Sequence, residues 1–220
     1  MSETRKNFNV WLTAGFIAAP LYISITALLG FLEEDYSHLT TTMSVLGGVD
    51  GFRGLLFNFC VFFTGILVIS FGTGLFRQNS GNKMYKFSLG LLWSGGLGLA
   101  GAGLFPCSAA CRNIFIEPDF TGRLHMISSL LAGMGTGLAP LFIWIAIRRE
   151  ELWQNLKNMT FIFAILSNLP GIIFWITILS DNRLPAIEGL IQRLGFIFVL
   201  LWMLYVSLIF FRNDKDKSIV

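Results

Sequence analysis

Two cysteines enclosing three residues, Cys107 and Cys111, break an otherwise apolar stretch, and an acidic pair, Glu117 and Asp119, follows before His125. Three chemistries suit such a set. A disulfide would clip the stretch, although so short a ring stabilises less than a long loop does. Free thiols would be redox-active, but the specific redox motif is CxxC rather than CxxxC. Metal ligation would enlist His125, yet a tetrahedral site needs a further ligand and His38 is the only other histidine. The Cys107–Cys111 disulfide is the reading we expect, and no metal is expected.

Other polar residues stand where apolar runs begin or end. His125 follows Arg123 at the start of one run, where an ionisable group is either functional or an interfacial histidine bonded to a loop carbonyl. Arg193 lies a turn inside the last run, placed to snorkel to headgroups or to reach Glu188, Asp119 or an anionic ligand. Arg53 and Asn58 occupy the corresponding end of the second run, and His38 and Ser44 lie in the loop before it. The expected ligand-binding set is therefore His38, Ser44, Arg53, Asn58, Asp119, His125 and Arg193, delivered to one face by several loops and helix ends. Two histidines and scattered acids supply neither a three-ligand zinc set nor a facing axial pair for haem. Walker, HExxH and GxSxG patterns are absent, and the GxGxxG at Gly96–Gly101 lacks a βαβ context. No cofactor is expected.

The elements that must position these residues are membrane-spanning. The chain has 220 residues, 54% hydrophobic and 13% charged, about half the charge of an ordinary soluble domain. Crossing a hydrocarbon core takes about 20 apolar residues per helix, and six runs meet that length, at about 10–32, 54–76, 87–105, 124–147, 158–180 and 189–211. They are continuously apolar rather than alternating, which excludes a β-barrel reading. The first run is of spanning length with no cleavage site soon after it, so it reads as a helix and not as a signal peptide. We expect an all-α polytopic membrane protein, a single bundle of six transmembrane helices forming one domain over residues 1–220.

Eleven of the 16 basic residues fall on the side of the two termini, so the positive-inside rule predicts cytoplasmic termini in a bacterial inner membrane. The net charge of +3 reflects that anchoring, and no nucleic-acid partner is expected. Within the runs, glycines at 95, 96, 98 and 101, with Gly133 and Gly137, predict a close hairpin of the third and fourth helices. Cys60 reads as packing. AGFIAAPLYISI around Pro20 and MGTGLAPLFIWI around Pro140 look alike, but the second and fifth runs show no such match, so chance likeness is preferred to an inverted repeat. Asn168, just before Pro170, reads as a side chain bonded to a neighbouring helix at a kink.

SVLGG at Ser44–Gly48, FRGLLFNFCVFFTGIL, GLFPC with its following cysteine and histidine, and GLIQRLG together resemble the prokaryotic membrane family known as domain of unknown function 998. The likeness runs over nearly the whole chain. It implies six or seven helices and matching positions for Ser44, Leu46, Gly47, Asn58, Phe105, Pro106 and His125. It also implies three carboxylates that this chain replaces with Val45, Ser108 and Gln192. The resemblance supplies no reaction. The leading expectation is an integral membrane protein, not an enzyme, whose external polar cluster binds a lipid headgroup or small molecule. The alternatives are a small-molecule carrier, suggested by Pro20, Pro140 and the Asn168–Gly171 break, and a lipid-modifying enzyme with His125 as base.

Overall fold

The computed structural model describes residues 10–78, 82–107, 119–150, 153–179 and 184–218, without the side chains of 155, 178, 179 and 214–218. A 3-10 turn, Val10–Thr13, runs into α1, Ala14–Leu32; α2 is Phe52–Phe76 and α3 Lys83–Leu104. The later helices are α4, Phe120–Ile147, α5, Gln154–Leu179, and α6, Glu188–Ser218. A further 3-10 segment, Met43–Gly48, lies between α1 and α2. Among the described residues six helices are long and apolar enough to cross a membrane, and they pack as one bundle in which α1 lies against both α2 and α6. The all-α, six-span expectation holds.

Helix starts differ from the apolar runs for a physical reason. Asn82 caps α3, its side chain accepting from the Met84 amide at 2.9 Å, and so starts the helix before its hydrophobic part. Asp119 does the same for α4, accepting from the Gly122 amide at 2.7 Å. His125 is thus a turn and more inside α4 rather than at its mouth. Polar first turns carry caps, and a hydropathy criterion does not see them.

The α3–α4 hairpin forms, and α3 uses two faces to build the bundle. A Cβ on Gly95 would meet the Thr136 amide nitrogen at 2.5 Å, and one on Gly98 would meet the Ser128 carbonyl at 2.6 Å. A Cβ on Gly96 would meet the Gly65 carbonyl of α2 at 2.8 Å, and one on Gly103 the Phe62 amide at 2.5 Å. The α4 side of the hairpin differs from expectation. Gly133 and Gly137 turn towards α5, near Trp175 and Asn168, while Ala132, Gly135 and Thr136 meet α3. Lipid gives helices little hydrophobic reason to associate, so this backbone-level approach is what holds them.

Pro20, Pro140 and Pro170 all lie inside continuous helices. Asn168 donates to the Gly137 carbonyl of α4 at 2.7 Å and to its own Ala164 carbonyl at 2.8 Å. The helix–helix bond expected of it is present. At the end carrying both termini, Ser207 of α6 donates to the Leu12 carbonyl at 2.7 Å, which seats the first turn of the chain against the last helix. Cys60 is buried and free, as packing requires. Cys107 is buried, but Cys111 lies outside the described residues, and with it the expected clip.

Candidate functional site

The end of the bundle away from the termini gathers the polar residues, and Arg193 is its most enclosed cation. Its side chain is 7% exposed. Nη1 donates to the carbonyls of His38, Thr41 and Gly189, each at 2.8 Å, and Nη2 donates to the Tyr36 hydroxyl. The guanidinium also lies over the Tyr36 ring, 5.3 Å from its centroid. Neither Glu188 nor Asp119, the acids expected within its reach, bonds it. Every acceptor that it meets among the described residues is neutral, and its Nε, buried, bonds nothing. A desolvated cation facing only neutral acceptors is costly unless further acceptors complete its shell.

Local geometry explains how a helix residue organises a loop. Gly189, one turn before Arg193, lets the Thr41 carbonyl approach α6 directly, and Leu190 donates its amide to the Leu39 carbonyl at 2.9 Å. Beside them, the Met43 amide donates to Gln192 Oε1 at 2.6 Å. Gln192 thus provides an acceptor where the family resemblance implies a Glu, without that residue's charge. Tyr22 of α1 donates to Met43 Sδ at 3.8 Å and rests on Phe196 of α6, centroids 4.9 Å apart. The His38 ring packs on Gly30 of α1, edge-on to Tyr36 at 5.4 Å, with Phe31 at 4.8 Å.

Asn58 and His125 belong to a second group at the other end of Met43–Gly48. Asn58 donates to the Gly47 carbonyl at 2.8 Å, and His125 Nδ1 bonds the Phe105 carbonyl at 2.7 Å. A Cβ on Gly48 would stand 2.7 Å from the Cys107 carbonyl, so the two loops are in contact here. The remaining candidates serve locally. Ser44 shares a hydrogen bond with Thr42 at 3.3 Å, and Asp119 caps α4. Arg53 donates to the Leu32 carbonyl at 2.6 Å and pairs with Glu33 at 3.0 Å, in an exposed position, where such a pair contributes little. Of the expected set, His38 and Arg193 meet directly. Asn58 and His125 join them through Met43–Gly48, and no hydrogen bond links His125 to Arg193. No group of three metal-ligating residues occurs among the described residues.

Sequence reasoning missed Tyr36 and Thr26. Tyr36, an aromatic among acids and serines, was the available signal for the first. Thr26 lies four residues from both Tyr22 and Gly30, on the stripe of α1 that faces this node.

Burial, and after it the Arg193 charge, hold the His38 imidazole below its ordinary value, with the Ala27 carbonyl pulling the other way. Burial likewise raises the Tyr36 phenol, and Arg193 opposes that shift. A histidine pKa lowered by folding means that the unfolded chain takes up the proton first. The associated stability is complete above the unfolded value, about 6.5, and is lost as pH falls through the folded value. We expect the thermal midpoint of the purified protein to fall between about pH 7 and about pH 5, with His38→Gln flattening that dependence. Unchanged slopes in the variant would show that His38 has no part in it.

The family model described as Protein of unknown function (DUF998) matches residues 16–209, most of the chain. None of the curated proteins and none of the solved structures matches it.

Proposed function

The chain belongs to the DUF998 family, whose description assigns no reaction, and from the Arg193 node we propose an integral membrane protein that recognises an anionic lipid headgroup or small anion at the end of its bundle away from the termini. One observation carries this reading: a nearly enclosed guanidinium surrounded by neutral acceptors, with its Nε unpartnered. Ionisable groups at such depth are ordinarily matched by a partner or a ligand. The excess of Lys and Arg on the terminal side supports termini in the cytoplasm of a bacterial cell, and hence a site on the outer side of the inner membrane.

The other readings draw less support. His125 has its Nδ1 on a carbonyl and no acidic side chain bonded to it among the described residues, which weakens the case for a lipid-modifying enzyme. Asn168 is engaged across α4 and α5, which weakens the case for an open carrier path.

Native mass spectrometry of the full chain released from mild detergent tests the reading. The expected result is a retained anionic adduct, or one restored by adding anionic phospholipid. A wild-type chain that binds no anion under either condition would overturn it.

A further inference from the structure

Among the described residues, three buried side-chain atoms without a hydrogen-bond partner, Arg193 Nε, His38 Nε2 and Thr26 Oγ1, belong to one neighbourhood. Arg193 holds the His38 carbonyl, and both residues pack on Tyr36. Thr26 stands on α1 midway between Tyr22, which touches Met43 and Phe196, and Gly30, which touches the His38 and Tyr36 rings. Threonines in helices commonly return their hydroxyl to a carbonyl one turn back, as Thr64, Thr73 and Thr136 do here. Thr26 does not, although it is 5% exposed. Orphaned buried polar atoms are rare in folded proteins, and a bound group is one of their explanations.

We propose that Arg193 Nε, Thr26 Oγ1 and His38 Nε2 are the inner contacts of a site for a phosphate monoanion, the phosphodiester of a glycerophospholipid being the ligand class. The proposal rests on the anion-recognition reading above and gives it a ligand and an address.

Three features support the assignment. Arg193 and Thr26 both supply N–H or O–H donors, and His38 adds a third in its Nε2–H tautomer, so the complement is an acceptor-rich oxyanion. The node carries a single guanidinium, which one negative charge balances. A phosphodiester carries that charge, whereas a fully ionised phosphomonoester carries two. Depth agrees as well. Thr26 is six residues from the end of α1, about 9 Å, and Arg193 five from the start of α6, about 8 Å. That is close to the inner edge of the interfacial layer, some 5–7 Å thick on each side of the hydrocarbon.

The test uses the full chain in an uncharged detergent, titrated with dioctanoylphosphatidylglycerol, inorganic phosphate and dioctanoylglycerol, and read by native mass spectrometry and thermal shift. Phosphatidylglycerol should bind the wild type, and dioctanoylglycerol should not. Competition by inorganic phosphate alone at similar concentration would keep the site and identify free phosphate as its source. Thr26→Val breaks no bond in the protein and should leave the unliganded thermal midpoint unchanged or raised, while weakening phosphatidylglycerol binding about tenfold. His38→Phe provides a second variant in which the same loss of phosphatidylglycerol affinity is expected. Equal binding of dioctanoylglycerol, or undiminished affinity in both variants, would overturn this assignment while leaving anion recognition standing. Failure of the wild type to bind any anion would overturn both.

Discussion

Arg193→Met will lower the unfolding free energy of the purified protein by about 2–4 kcal/mol, measured by denaturant unfolding in detergent. The side chain donates four hydrogen bonds, and bonds from a charged donor contribute ~1.5–3 kcal/mol each. Against that stands the cost of dehydrating a guanidinium, several kcal/mol in a buried position. The bonds win because three of them reach the Tyr36–Thr41 segment, where the enclosed His38 and Thr41 carbonyls would otherwise lose this donor. Arg193→Lys keeps the charge but replaces a planar fork with a single ammonium, so an intermediate loss is expected. Limited proteolysis supplies a local readout, since the segment around Tyr36–Thr41 should be cut sooner in the methionine variant. Wild-type stability in Arg193→Met would show that the segment is held by other means.

Gly98→Leu will be the more damaging change. Its Cβ would meet the α4 backbone at Ser128 and Ala132, and backbone cannot turn aside as a flexible side chain can. Overpacking ordinarily costs ~1–3 kcal/mol. Here the side chain would also separate helices whose close approach is itself the source of their attraction. We expect at least ~3 kcal/mol and a loss of the monodisperse folded species on size exclusion. Gly90→Ala is the matched control on the same helix, because a Cβ there meets nothing within 4 Å. It should be neutral or stabilising by ~0.5–1 kcal/mol through helix propensity. Equal behaviour of the two would refute the distinction between the faces of α3.

The helices were legible because hydrocarbon imposes a length and a composition, and all six runs meet both. Their ends were less so, because Asn82 and Asp119 extend α3 and α4 through capping, which hydropathy does not register. The glycines of α3 foretold a close hairpin, but which α4 residues face it depended on helix rotation, and there Gly135 replaces Gly133 and Gly137. The candidate site was legible in part. Arg193 was recognisable from charge at an apolar boundary and His38 as a polar residue in the first loop, while Asn58 and His125 lie at the end of the bundle away from the termini. That they divide into two groups follows from carbonyl acceptors on Phe105 and Gly47, which no side-chain pattern encodes. Thr26 escaped notice because a threonine inside an apolar helix ordinarily bonds its own backbone.

The bonds from Arg193 to the Tyr36–Thr41 segment also set an order of assembly. A chain inserted from its N-terminus exposes that segment as soon as α1 and α2 have crossed the membrane. The residue that fixes it comes more than 150 positions later, in the last helix. The first loop to be delivered is therefore among the last to settle, and its carbonyls depend on water until α6 arrives. A chain halted before α6 would hold most of its helices and still lack a structured end away from the termini.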